Sequence, residues 1–278
     1  MEEFNPDLLK KLFKPTPQLS KKENGQVTIL GGSSLFHGAP LLSLKVASRI
    51  VGMVYFSSPE KSVGKVADRL KSKLLSFIWV PWKEVGEYIK KSDSVLIGPG
   101  FMRYRNEGKD FKDGCDSSYI ETENITRDLL SKYSEKKWVI DAGSLQILKS
   151  EWIPKNAILT PNEKEYKMLF GFEKVEDVAK RFSCTICYKS QKAIICSQDK
   201  CFQVSGMMNS GMSKGGTGDV QAGLTVALLA KNDPLLSAVS ALYIGRKAAS
   251  ELFAKKGPFY NADDLAEKIP EVFASALR

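Results

Sequence analysis

Histidine is almost absent from this chain of 278 residues, where His37 stands alone. No site that needs two imidazoles can be assembled from it, which excludes the commonest zinc-enzyme designs. Cysteine is sparse and odd in number: Cys115, Cys184, Cys187, Cys196 and Cys201. The opening MEEFNPDLLKK lacks the basic-then-apolar order of an export signal, and together these features argue against a disulfide framework. Cys184-Thr-Ile-Cys187 is a CxxC inside the β-type run FSCTICY. With Cys196 and Cys201 it offers a four-thiolate zinc set, against the plainer reading of thiols buried on strands. No apolar run approaches the roughly 18–20 residues that span a bilayer, so no membrane partner is expected and the cytoplasm is the expected compartment. A Gly-x-x-x-x-Gly-Lys-Ser/Thr phosphate loop is missing too, so any kinase-like site here is of another design.

What is present is the composition of an ordinary globular enzyme, 43% hydrophobic and 26% charged, on a chain long enough to bury a large core. Basic residues outnumber acidic ones by 41 to 32, a net +9 spread along the chain rather than gathered into a tail. A diffuse positive field suits anionic small molecules better than nucleic acid; a merely solvated basic surface would look the same.

Residues 1–25 stand apart as an N-terminal arm. The stretch 5–13 can form a short amphipathic helix that Pro15 and Pro17 stop, packing on the body or on a neighbouring subunit. Over 26–278, short apolar runs alternate with helical patterns. Strands are expected at 27–30, 53–56, 76–80, 94–97, 138–140, 157–159, 184–188 and 193–196. Helices are expected at 38–50, 61–74, 82–90, 117–132, 163–170, 175–182, 220–230 and 235–252. Strands that are continuously apolar are covered on both faces, so the pattern implies an α/β fold with a mainly parallel central sheet, in a single domain. Ligands in such sheets bind beyond the carboxyl ends of the strands, which directs attention to the loops there.

Four loops stand out. Gly211-Met-Ser-Lys-Gly-Gly-Thr-Gly-Asp219 opens a helix; its glycines let the backbone approach a ligand, and the helix start offers unpaired N–H groups at a positive dipole end. That is an anion cradle, in which Asp219 is either the helix N-cap or a base for an attacking hydroxyl. Gly98-Pro99-Gly100-Phe101 is a tight turn after a strand; a Rossmann fingerprint fails there because Arg103 takes the third glycine's place. The loop from Gly31 to Pro40 is long and rich in glycine and hydroxyls, and His37 in it either meets substrate or is incidental. Thr160-Pro-Asn-Glu-Lys-Glu165 opens a helix with Asn162 and Glu165 on one face. The pair either orders magnesium and its waters against a phosphate or caps the helix.

Taken in order, these segments resemble a known family. AILTPNEKEYKML followed by GMSKGGTGDVQAGL resembles the ribokinase-like superfamily, and most closely its NAD(P)H-hydrate dehydratase branch. KKENGQVTILGGSSLFHGAP is similar to that family's opening strand and Y-[ST]-G-A loop, and VLIGPGF to its Gly-Pro-Gly loop. VIDAGSLQIL is similar to its Asp-Ala-Asp-Ala-Leu segment, and CTICYKSQKAIICS to the strand carrying its Lys-Gly nucleotide loop. The likeness covers about 21–254.

The resemblance implies a ribokinase-like three-layer sandwich, a mainly parallel central sheet flanked by helices. It implies a lyase that uses ADP or ATP with Mg2+ to return hydrated NADH or NADPH to the parent cofactor through a phosphorylated intermediate. On the same ground Asp219 is the catalytic base, and Ala39, Gly100 and Asn162 line the hydrated-nucleotide site beside it. Lys189, Ser190, Gln191, Lys192 and Ala193, with Gly216, Thr217 and Gly218, hold the adenine nucleotide, and Glu165 reaches magnesium through water. A homo-oligomer follows by analogy with the fold. The chain departs from the family at Asn162 (usually His), Ser190 (Gly), Gly143 (the second Asp), Phe36 (Tyr) and His37 (Ser or Thr). An alternative is a small-molecule kinase of the same fold, of the hydroxyethylthiazole or pyridoxal type, which Asn162-x-x-Glu165 favours. A nucleotide-binding protein without turnover is the third reading.

Overall fold

The computed structural model describes residues 1–70, 72–102 and 115–278, with the backbone alone over 115–120. Lys71, Arg103 and the Cys115 side chain, each touched by the sequence reading, lie outside the described residues. The strands are β1 (Glu2–Glu3), β2 (Gln26–Leu30), β3 (Met53–Ser57), β4 (Ile78–Trp79), β5 (Ser94–Ile97), β6 (Lys137–Ile140), β7 (Ile158–Leu159), β8 (Thr185–Tyr188), β9 (Ala193–Cys196) and β10 (Cys201–Val204). The helices are α1 (Gly38–Ala47), α2 (Lys61–Leu70), α3 (Val85–Lys91), α4 (Cys115–Lys132), α5 (Ala142–Ile147), α6 (Glu163–Phe170), α7 (Val175–Phe182), α8 (Thr217–Leu229), α9 (Pro234–Lys256) and α10 (Ala262–Ala276).

The described strands form one sheet in the order β1-β10-β9-β8-β7-β6-β5-β2-β3-β4. From β4 to β8 every pairing is parallel, while β9 returns antiparallel on β8 and β10 antiparallel on β9. Helices cover both faces because side chains of each strand alternate between two cores. On β5, Leu96 joins the core with Leu44, Val226 and Ile244, whereas Val95 and Ile97 join the one with Ile89, Trp138 and Val178. The chain runs outward from β2 through β3 to β4, then returns to β5 and continues the other way. The direction of winding thus reverses between β2 and β5, and in such sheets ligands gather at the strands' carboxyl ends beside that reversal.

Several elements differ from expectation for physical reasons. α8 opens at Thr217 rather than at 220, because Gly216 adopts φ 91° and occupies the N-cap position. Asp219 is thus the third helical residue, which excludes the N-cap alternative for it. The run 76–80 contributes only Ile78–Trp79, at the sheet edge. α1 ends at Ala47 because the chain tightens there, with Arg49 N bonding Val46 O and Ile50 N bonding Ala47 O. β1, β10 and α10 are absent from the sequence reading; α10 holds Pro270 in its interior, a residue that ordinarily breaks the pattern, but begins with an Asn261–Asp264 capping box. The 5–13 segment is a 3-10 helix over Pro6–Lys11. Phe4, Leu9 and Leu12 bury into the core of the body, with Phe4 against the Phe202 and Tyr243 rings.

The cysteines need a correction. Cys196 and Cys201 are register partners across the β9–β10 hairpin, Cα atoms 4.1 Å apart, and are joined by a disulfide. Direct opposition of the two side chains brings the sulfurs within bonding reach whatever the framework elsewhere. Cys184 and Cys187 are buried free thiols, which leaves no four-thiolate set. Burial pushes the Cys184 thiol up to about 12 and that of Cys187 up to about 11.

Candidate active site

At that end of the sheet two loops lock together. Gly32 N donates to the Pro99 carbonyl at 2.9 Å, tying the segment after β2 to the segment after β5. Gly100, at φ 76°, admits no side chain, since a Cβ would lie 2.5 Å from the Phe36 carbonyl oxygen and 2.9 Å from Pro40 Cδ. Ala39 sits half-buried in the first turn of α1, beside Pro40. His37 Nε2 lies 2.9 Å from Ser62 Oγ, which fastens this loop to the start of α2.

The next wall comes from three neighbouring strand ends. Asp141, the first residue past β6, is 3% exposed. Its Oδ1 accepts from Thr160 Oγ1, past β7, at 2.7 Å and from Lys189 Nζ, past β8, at 3.1 Å. Burial alone would lower the Lys189 pKa, but the Asp141 carboxylate, then Glu165 and Cys187, outweigh it and hold it above the ordinary lysine value. The amine therefore carries its charge at neutral pH. Lys189 N donates to the Pro161 carbonyl at 2.8 Å, and a bridge pairs Lys189 with Asn162. Asn162 caps α6: its Oδ1 accepts from Glu165 N at 3.0 Å, and Glu165 Oε2 accepts from Asn162 N at 2.9 Å. Glu165 Oε1 also accepts from Gln146 Nε2 at 3.0 Å.

The last wall is the glycine cradle. A Cβ at Gly216 would lie 2.5 Å from Leu42 Cδ1 and 2.9 Å from Ala262 Cβ, so only glycine makes this turn. Thr217 Oγ1 donates to the carbonyls of Met212 and Lys214 at 2.8 and 3.0 Å, and so builds the loop rather than facing a ligand. Lys214 Nζ turns aside to the Pro258 and Tyr260 carbonyls. A Cβ added at Gly218 would have Lys189 Nζ as its nearest neighbour, at 3.9 Å. A fixed cation thus stands over the first turn of α8, where backbone N–H groups and the helix dipole already favour an anion. Asp219 follows half-buried on the same turn, and its carbonyl accepts from Ser43 Oγ at 2.7 Å, which pins α8 to α1.

The structure therefore gathers Gly216, Gly218, Asp219 and Lys189, with Asn162 adjoining Lys189, while Gly100 and Ala39 lie on the loops after β5 and β2. Ser190, Gln191 and Lys192 form the turn between β8 and β9, in which Ser190 Oγ donates to the Lys192 carbonyl at 2.6 Å. Ala193 is fully buried in β9 and can offer a ligand only backbone atoms. Asp141 opens the segment similar to Asp-Ala-Asp-Ala-Leu, but the sequence reading gave it no role in the site. Its signal was positional, a lone carboxylate ending the apolar strand run Trp138-Val-Ile-Asp141.

Comparison with known proteins gives this arrangement a family. A family model described as NAD(P)H-hydrate dehydratase matches residues 27–271. The bifunctional NAD(P)H-hydrate repair enzyme of Methanocaldococcus jannaschii is 32% identical, over 95% of this chain and 51% of that one. The ADP-dependent (S)-NAD(P)H-hydrate dehydratase of Nitrosopumilus maritimus is 30% identical, over 95% of this chain and 94% of its own length. The chain spans about half the length of the bifunctional relatives it matches. A ribokinase-like superfamily protein from Enterococcus faecalis superposes with a TM-score of 0.80 at 21% identity, covering 99% and 96% of the two chains, so the fold is ribokinase-like.

Proposed function

Because this chain belongs to the NAD(P)H-hydrate dehydratase family, we propose that it returns hydrated NADH or NADPH to the parent cofactor, with ADP or ATP as phosphoryl donor. The observation that carries the reading is the Lys189 ammonium over the first turn of α8, beside Asp219. The hydrate lies among Ala39, Gly100 and Asn162. The adenine nucleotide runs along 189–193 and onto the Gly216, Thr217 and Gly218 backbone.

Asp219 takes the proton of the ring hydroxyl as that oxygen attacks the terminal phosphoryl group. The bond from phosphorus to the nucleotide oxygen breaks, and the growing charge meets the α8 amides and the Lys189 ammonium. Asp141 keeps that ammonium charged and in place. The ring carbon–oxygen bond then breaks and phosphate leaves; the neighbouring carbon gives up a proton and the double bond returns. Glu165 would hold magnesium through water, since each of its carboxylate oxygens accepts one N–H and keeps a further lone pair, and the ion would neutralise phosphate oxygens. In the same reading residues 26–278 act as one catalytic domain, with the arm folded onto it.

The Asn162–Glu165 pair forms the capping box of α6, a role that either reading accommodates, so it gives the small-molecule kinase no advantage. Product analysis separates the two. The proposal expects inorganic phosphate and reduced nicotinamide to appear in equal amounts from NADH hydrate. Accumulation of a phosphorylated alcohol without phosphate release would establish the kinase instead.

A further inference from the structure

Arg246 lies in the middle of α9, 2% exposed, and has no ion pair among the described residues. Taking a guanidinium out of water is costly unless its donors are met, and burial pulls its pKa below the ordinary arginine value. Backbone carbonyls meet those of Nη1 and Nη2, while Nε has no partner among the described residues. Nη2 donates to the Ser190 carbonyl; Nη1 donates to those of Gln191 at 3.2 Å, Val204 at 2.7 Å and Gly206 at 3.5 Å. One buried cation therefore ties the turn after Lys189 to the end of β10.

In a trans peptide the carbonyl and the following N–H point in opposite directions. The Ser190 and Gln191 carbonyls turn toward α9, so the amides of Gln191 and Lys192 turn away from it. No backbone acceptor pairs with those two amides among the described residues. Ser190 is not in the left-handed region, so its side chain costs this turn nothing, and the shape is held by the Arg246 contacts and the Ser190 Oγ bond to the Lys192 carbonyl. We propose that Arg246 is a positioning residue for the nucleotide. It orients two successive peptides so that the Gln191 and Lys192 amides are presented as donors to the bound adenine nucleotide. The inference rests on the reading that 189–193 holds that nucleotide.

The test is calorimetric titration of magnesium–ADP into the full chain carrying Arg246→Met, Arg246→Lys, Lys189→Ala or Leu252→Ala, beside the hydrate KM of each. Leu252 is buried on the same helix and reports destabilisation alone. The expected result is about tenfold weaker ADP binding for Arg246→Met and a smaller loss for Arg246→Lys, because an unheld loop must be ordered on binding. Hydrate KM stays within about twofold, and Leu252→Ala keeps wild-type ADP affinity while losing stability. If Arg246→Met does not fold, Arg246→Lys decides by the same comparison. Unchanged ADP affinity in the Arg246 variants while Lys189→Ala weakens it overturns this inference alone. Unchanged affinity in Lys189→Ala overturns the loop reading and the inference with it. Equal losses for nucleotide and hydrate would reduce Arg246 to a structural role.

Discussion

Lys189 and Asp141 are the pair on which the site turns, because neither is comfortable buried without the other. Their contribution has a definite pH sign. The Lys189 pKa is raised on folding, so the stability it adds is fully present below its unfolded value of 10.5 and is lost as pH rises through the higher folded value. Lys189→Ala should therefore cost the same stability across about pH 6 to 9, measured by urea unfolding, and weaken nucleotide binding about tenfold or more. A pH-dependent penalty in that range would mean another group supplies the partner charge. Cys184 and Cys187 give a second test at this scale. With thiols pushed up to about 12 and about 11, both should stay protonated and resist iodoacetamide at pH ~8 in the native protein, and react once it is unfolded.

At the scale of elements, the cradle depends on one left-handed glycine. Gly216→Ala would force a Cβ into Leu42 and Ala262 at an unfavourable φ, and should destabilise by about 2 kcal/mol while raising nucleotide KM. Thermal unfolding and initial-rate kinetics check the two effects separately. The sequence announced this loop because three closely spaced glycines before an apolar helix have few other uses. It did not announce where the helix begins, since the N-cap is chosen by backbone conformation at Gly216 and not by a capping side chain. Strands buried on both faces, such as β5 and β6, were legible as continuous apolar runs. β1 and β10 were not: β1 has only two residues, and β10 alternates buried with partly exposed side chains instead of reading as a continuous apolar run. α10 was hidden by its internal Pro270, although its Asn261–Asp264 box was readable. The Arg246 contacts had no sequence signal at all: carbonyls from two distant loops converge on it only in the folded chain. The Cys196–Cys201 bond was equally hidden, because it depends on hairpin register.

For the whole molecule, the arm and the body share one core, so the arm should matter to stability and not to chemistry. Phe4→Ala should lower the unfolding free energy by about 3 kcal/mol, read from denaturant midpoints, with nucleotide affinity unchanged. A loss of affinity there would tie the arm to the site, contrary to its place at the β10 edge. At the carboxyl ends of the strands, the locked glycine loops after β2 and β5 are followed along the sheet by the ends of β6, β7 and β8, which carry the Lys189–Asp141 pair set against the α8 cradle. On the proposed reading, a hydrated nicotinamide and a nucleotide bind among these groups, within reach of Asp219. The most direct measurement is recovery of reduced-nicotinamide absorbance from purified NADH hydrate with magnesium and ADP or ATP, in wild type and in Asp219→Asn. The expected result is recovery by the wild type with one or both nucleotides, and a loss of about 10²–10⁴-fold in Asp219→Asn with nucleotide binding retained. No recovery by a wild-type protein that binds the nucleotide, or full recovery by Asp219→Asn, would contradict it.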